Sequence, residues 1–326
     1  MGKIHFLNVK DGDCSLIEHP SGRVTMVDVS NARELTEQEQ ARYLVEKAVS
    51  GNFNQKALPV NPLAYMDSRG ILDIHRFILT HPDMDHMDGI KDLFDYARPT
   101  NFWDTNNNKE CDSFGYGSPY REEDWNFYKA LRDNDPDHNP KRLALLSGAR
   151  AMHYNMDENG DGGGDGLHIL SPTQALVDAC NECDEYNDLS FVILYRMSGF
   201  KILFTGDACA GAWEHIIDAH SSDVEDVDLL IAPHHGRKAG QDFSYLDTLN
   251  PKMTFFGNAR SEHLAYSAWN NRDLEFVTNN QAGSMLVETD ANDLDLYVTN
   301  ENYARASNPD TFQSEDHWFL KTITST

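Results

Sequence analysis

Three apolar runs in this chain end in histidine and aspartate: RFILTHPDMDHMDGI over 76–90, KILFTGD over 201–207 and LLIAPHHG over 229–236. Each run is short and bounded by polar chemistry, so each reads as a buried strand rather than a core helix. A strand end presents the residues that follow it at a fixed point, which suits a site that needs defined geometry. The first run delivers His81, Asp83, Asp85 and His86. A helix starting near Asp88 needs one polar cap, not four. The same mixture of imidazole and carboxylate suits Zn²⁺, and its oxygen content extends the choice to Mn²⁺. Asp207 follows Gly206, which permits close backbone approach, and His234–His235 precede Gly236. A lone strand-end aspartate is more often a turn residue. Three such ends meeting at one place are hard to explain without a cation.

The rest of the chain alternates strands and helices in both halves. KIHFLNV, CSLIEHP and RVTMVDV read as strands turning at Gly12 and Ser21-Gly22. LTEQEQARYLVEKAV has helical spacing, LAYMDSRG reads as a short helix ending at Gly70, and DGIKDLFDYA as another. Residues 100–166 are rich in Asn, Asp, Gly and aromatics, and read as a partly looped insertion bordering the site, with a helix at EEDWNFYKALRD. Within it, DENGDGGGDG resembles the first half of a calcium loop, but position twelve is His168 rather than Glu, so a Gly-rich turn is the better reading. After residue 166, LHILSP, SFVILYRM, KMTFFGN, LEFVT, SMLVETD and LDLYV read as strands, and GAWEHIIDAH, FSYLDTL and EHLAYSAWNNR as helices. No fixed-period repeat appears, and the tail after residue 300 carries little signal. The expectation is one α/β domain over 1–326, with sheets stacked between helices.

Composition narrows the function. Of the 326 residues, 53 are acidic and 27 basic, a net charge of −26 that argues against a broad basic face for gripping extended DNA. A nucleic-acid substrate held through bound cations is still allowed. The start, MGKIHFLNVKDGD, lacks the apolar core of a signal peptide, and no window approaches a membrane span. The cysteines at 14, 111, 180, 183 and 209 form no even framework, which fits a reducing, cytoplasmic compartment; Cys180 and Cys183 form a lone CxxC at a helix end.

THPDMDHMDG, FTGD and APHHG, in that order, resemble the metallo-β-lactamase-like hydrolases. The chain is most similar to the hydrolase domain of the DNA-uptake protein ComEC and its stand-alone relatives. That resemblance extends from FLNVKDGDCSLIEHPSGRVTMVDVSN, with its Gly-Asp turn, to NNQAGSMLVE. It implies an αββα sandwich of two mixed sheets flanked by helices. It further implies two divalent ions, Zn²⁺ first and Mn²⁺ as the alternative. His81 and Asp83 would bind one, with Asp83 where many members have His; Asp85 and His86 would bind the other. Asp207 would bridge them, and His235, or else His234, would complete the second. Asp28 would support the site, and His263 stands near a late family histidine that assists the leaving group. The general family has a histidine about twenty residues before the bridging Asp; here Asn187-Asp188 stands there, so Asp188 is the candidate replacement ligand and one-ion occupancy is open.

The chemistry implied is hydrolysis by a metal-bound hydroxide, with Asp85 orienting the water and His234 or His263 protonating the leaving group. The resemblance favours phosphodiesters, hence a nuclease or nucleotide phosphodiesterase, and the acidic surface favours small or short substrates. Trp103, Tyr116, Tyr120 and Trp125 are candidates to stack on a base, with ordinary core residues as the favoured alternative reading. The competing readings are a small-molecule ester, lactone or thioester hydrolase, and a metal-bound interaction module without turnover that meets a protein partner.

Overall fold

A computed structural model describes residues 2–33, 53–111, 114–115, 117–238, 242–259, 262–290 and 292–324. The helix expected over 35–49 and Tyr116 lie outside these residues. Among them, two sheets form. The larger has ten strands in the spatial order Gln313–Ser314, His317–Thr324, Asp293–Val298, Met285–Thr289, Gly2–Phe6, Ser15–Glu18, Val24–Val27, Arg76–Ile78, Asn101–Asp104 and Arg142–Ala144. The smaller has six: Phe276–Thr278, Met253–Phe256, Leu229–Ile231, Phe200–Phe204, Val192–Met197 and Leu167–Ser171. Both are mixed. Val24–Val27, Arg76–Ile78 and Asn101–Asp104 run parallel, whereas Gly2–Phe6 pairs antiparallel with both neighbours. Leu229–Ile231 runs parallel to Phe200–Phe204 and Met253–Phe256, while Val192–Met197 is antiparallel to Phe200–Phe204.

The pleat explains why these strands are apolar throughout. Successive side chains point to opposite faces, and both faces are covered. Ile17, Val27, Ile78 and Trp103 meet Ile193, Ile202, Phe204 and Phe255 between the sheets. Their neighbours Leu16, Met26, Phe77 and Phe102 point the other way, onto Ile90, Leu93, Phe94 and Tyr128 of the helices Ile90–Ala97 and Glu122–Arg132. The outer face of the smaller sheet, Val192, Leu194, Leu203 and Leu230, is covered by Trp213, Ile216, Leu249 and Trp269. Three apolar layers therefore alternate with two sheets, the αββα sandwich expected.

Residues 100–166 do more than loop. They supply two parallel strands that extend the larger sheet, and the helix Glu122–Arg132 that covers it. The Gly-rich stretch closes on itself, with the Asp157 carboxylate accepting from the Asn159 and Asp161 amides at 2.8 and 3.0 Å. The tail is also structured, with a helix over Glu301–Ser307 and the long edge-proximal strand His317–Thr324. No helix among the described residues is long and apolar enough to cross a membrane.

Candidate metal centre

The carboxyl ends of parallel strands from both sheets open onto one rim, the place where open α/β sheets commonly hold ligands. Asp28 follows Val24–Val27, His81 follows Arg76–Ile78, Asp207 follows Phe200–Phe204, and the His234–His235 pair follows Leu229–Ile231. A backbone bond from Phe191 to Thr80 at 2.9 Å joins the rims of the two sheets, and one from His234 to Gly206 at 3.0 Å ties adjacent strand ends of the smaller sheet. Gly206 is required there. Its φ is +48°, and a Cβ at that position would lie 2.7 Å from the Thr80 side chain. Gly12 plays the same part across the rim, where a Cβ would fall 1.7 Å from the Asp85 carbonyl oxygen.

Local strain aims the ligands. Asp28, His234 and His235 adopt left-handed backbone conformations at φ 56°, 52° and 56°. Each such non-glycine residue costs about 1–2 kcal/mol, a cost that persists where surrounding structure fixes the conformation. The Asp28 carboxylate is the anchor. It accepts the Thr80 amide and hydroxyl, both at 2.7 Å, and His86 Nδ1 at 2.8 Å. Because the Thr80 hydroxyl donates to Asp28, it accepts from His81 Nδ1 at 3.1 Å. One carboxylate thus places the Nδ1 protons of both His81 and His86, leaving their Nε2 atoms facing the rim.

Around Asp207 those atoms converge. His81 Nε2 lies 3.8 Å from Asp207 Oδ2, His86 Nε2 3.2 Å from Oδ1, His234 Nε2 3.6 Å from Oδ2, and His235 Nε2 3.7 Å from Oδ1. His235 Nε2 is also 3.5 Å from Asp85 Oδ2, and its Nδ1 is 3.0 Å from Asp13 Oδ1. Three sets of donor atoms fall within 4.8 Å of one another: His81, His86 and Asp207; Asp85, His86 and His235; and Asp13, Asp207 and His235. The Nε2 atoms of His81, His86 and His235 and Oδ1 of Asp207 are buried without a hydrogen-bond partner among the described residues. Buried polar atoms are ordinarily paired, and several orphans aimed at one point are what a cation site presents. The residues therefore fit a divalent cation.

The charges point the same way. Burial opposes the Asp207 charge, yet His235, His86 and His81 hold its carboxyl well below the usual range. Burial likewise disfavours charge on His86, but Asp207 and Asp28 push it well above the ordinary value. His235 is pushed up to about 10 by Asp13 and Asp207, again against burial. Burial and the neighbouring His86 lower His81. The centre holds its protons where a cation would displace them.

His81, Asp85, His86, Asp207 and His235 are brought together as expected, and Asp28 stands behind them. Asp83 is close, with Oδ2 3.8 Å from His81 Nε2, but its other oxygen pairs with Lys109. Asp188 departs from expectation. Its carboxylate accepts the backbone amides of Cys209, Gly211 and Ala212 at 3.0–3.1 Å, capping the helix Ala210–Val224. That role spends the oxygens proposed for a cation, so Asp188 is a cap rather than a ligand. His263 is exposed on the wall of a cavity of about 520 Å³ that it shares with Asp11, His234, Arg237, Lys238 and Glu262. Trp103 and Trp125 are core residues, only 2% and 3% exposed, so neither can stack on a base; Tyr120 remains partly exposed. Asp13, Lys109 and Arg237 escaped sequence reasoning. Asp13 had a signal, the Gly-Asp turn between the first strands, and Arg237 directly follows the His-His-Gly run; Lys109 had none, because its partner Asp83 comes from a distant segment.

No family model and no curated protein matches the chain. Solved structures do. Igni18, a metallo hydrolase from the hyperthermophilic archaeon Ignicoccus hospitalis, is 10% identical over 88% of this chain and 100% of its own, with a TM-score of 0.47. A diphosphatase of the PhnP family is 11% identical over 89% of this chain and 98% of its own, with a TM-score of 0.43. The metallo-β-lactamase SMB-1 is 14% identical over 71% of this chain and 76% of its own, with a TM-score of 0.37.

Proposed function

We propose that this chain is a metal-dependent hydrolase that cleaves phosphodiesters in small or short substrates, a nuclease or nucleotide phosphodiesterase. The observation that carries the phosphate assignment is the cavity beside His234. In a chain of net charge −26, that wall gathers Arg237, Lys238 and His263, with Asp11 and Glu262 beside them, at the edge of the metal centre. The buried Nε of Arg237 has no hydrogen-bond partner among the described residues. A guanidinium with a free donor beside an ammonium is matched to a phosphate oxygen.

His81, His86, Asp207, His235 and Asp85 would hold the cation, Zn²⁺ suiting the imidazoles and Mn²⁺ the carboxylates. Such a cation supplies an activated water and polarises the phosphoryl oxygen. The protein's own groups do the remainder. Arg237 and Lys238 bind and orient the phosphate. Asp85, partly exposed at the rim, accepts a hydrogen bond from the attacking water and aligns it. His234 and His263, on the cavity wall, would pass a proton to the leaving oxygen. The five cysteines, none of them in a disulfide among the described residues, suit a reducing, cytoplasmic setting.

Purified protein supplied with Zn²⁺ or Mn²⁺ should turn over bis-p-nitrophenyl phosphate and single-stranded DNA, and Asp85→Ala should abolish that turnover. Arg237→Ala should raise KM for the phosphodiester more than it lowers kcat. Turnover of a lactone alone would move the assignment to carbon esters. Stoichiometric metal with no turnover on any of the three would make the chain an interaction module.

A further inference from the structure

Lys109 lies in the loop after Asn101–Asp104 and reaches into the metal centre, where its ammonium pairs with Asp83. We propose that Lys109 supplies, as a fixed ammonium, the positive charge that a second divalent cation would bring, so that the centre is built for one divalent cation. This rests on the metal-dependent reading above.

Four observations support it. First, Asp83 belongs to none of the three convergent donor sets, although its neighbours His81, Asp85 and His86 all do. Its Oδ1 faces Lys109, and its Oδ2 stands 3.8 Å from His81 Nε2. Second, Asp188 is committed to three backbone amides. The Oδ2 side of Asp207 is thereby left with His81 and His234 and no uncommitted second carboxylate, whereas the Oδ1 side has His86 and His235 with Asp85 beside them.

Third, Lys109 is held in place. Tyr186 lies under its ammonium, 5.2 Å from ring centroid to Nζ, and the Tyr186 hydroxyl donates to Asn108 Oδ1 at 2.8 Å. The Asn108 amide and side chain bond to Asn181 on the helix Gln174–Cys183 at 2.9 and 3.2 Å. Arg132 donates to the Lys109 carbonyl at 2.5 Å from the opposite side. A lysine on a loop tied to two helices does not swing freely. Fourth, the Asp83 charge is already met by an ammonium. An ammonium in contact with Asp83 cancels that carboxylate and repels any cation placed on the same oxygens. Lys109 acts through Asp83 and is a positioning residue.

The test is metal stoichiometry. Wild type, Lys109→Met and Lys109→Arg are dialysed to equilibrium against Zn²⁺ and then Mn²⁺, and bound metal is counted by plasma mass spectrometry. Calorimetric titration gives each Kd. The expected result is one ion in wild type, one in Lys109→Arg, and two in Lys109→Met. The second ion of Lys109→Met should bind about tenfold or more tighter than any weak second ion of wild type. Two ions in wild type overturn the inference without needing any variant. One ion in Lys109→Met overturns the role of Lys109 while leaving the metal reading intact. Two ions in Lys109→Arg show that charge is not what excludes the second. No bound metal in any of the three refutes the metal-dependent reading itself.

Discussion

Replacing Asp28 by Asn separates the two tasks that carboxylate performs. Asp28 sits at φ 56°, a conformation that Asn adopts readily, so the backbone should not object. The side chain keeps its shape but exchanges one acceptor oxygen for an NH₂ donor. If Oδ1 still receives the Thr80 amide at 2.7 Å, the new NH₂ faces the Thr80 hydroxyl and His86 Nδ1, which stood at 2.7 and 2.8 Å. His86 must then turn Nδ1 into an acceptor and carry its proton on Nε2, the atom 3.2 Å from Asp207. That tautomer cannot ligate. The alternative rotamer sets the NH₂ against the Thr80 amide and leaves two buried donors opposed, at about 1–3 kcal/mol. Either way, loss of such a supporting partner typically weakens metal binding about 10–100-fold, or roughly 1.4–2.7 kcal/mol. The metal-free fold should lose less, about 1 kcal/mol, because the Nε2 proton can bond Asp207. Competition titration against a chromophoric chelator measures the first quantity, urea denaturation in a chelator the second, and ¹⁵N NMR reads the His86 tautomer. Metal affinity within about twofold of wild type, with Nδ1 still protonated, would refute the reasoning.

Other changes have equally definite outcomes. Asp188→Ala removes the acceptor for three helix-start amides and should cost about 2 kcal/mol in urea denaturation while leaving metal stoichiometry unchanged. Gly206→Ala drives a Cβ to 2.7 Å from Thr80 at a positive φ and should cost roughly 3 kcal/mol, read as a lower Tm. Burial lowers buried His317 to about 4, with Asp316 opposing and Arg69 assisting. The folded state therefore refuses a proton that the unfolded chain accepts at about 6.5, so stability is present above that pH and falls as pH drops towards 4. The slope from this group approaches about 1.4 kcal/mol per pH unit, and His317→Gln should flatten it in denaturation curves taken from pH 7 to 4.

Much of this molecule was legible along the chain. Short apolar runs that end in Gly, Asp and His specify buried strands whose tips carry chemistry, because covering both faces of a strand removes the polar alternation and leaves only the ends free. His81, Asp85, His86, Asp207 and His235 were found that way, since each sits directly after such a run. The turn chemistry of Asp157 and the end of the helix Pro62–Ser68 were equally local. What sequence could not settle was the partner of each side chain. Asp188 and Asp207 look alike as letters near strand ends; only the approach of the helix Ala210–Val224 turns the first into a cap. Trp103 lay in a polar, aromatic segment, and only sheet pairing drew it into the core, while Trp125 lay on the expected helix and is buried by that helix's packing on the sheet. Lys109 and Asp83 are separated by the helix Ile90–Ala97 and the strand Asn101–Asp104, and nothing local marks them as a pair. Periodicity and strand-end chemistry are properties of neighbouring residues, so they pointed to an α/β domain with sheets stacked between helices and to the ligand types, while the αββα sandwich itself came from the family resemblance. Proximity between distant segments is created by packing, so only the tertiary structure decided which oxygens and nitrogens are free to meet a cation and which are already taken.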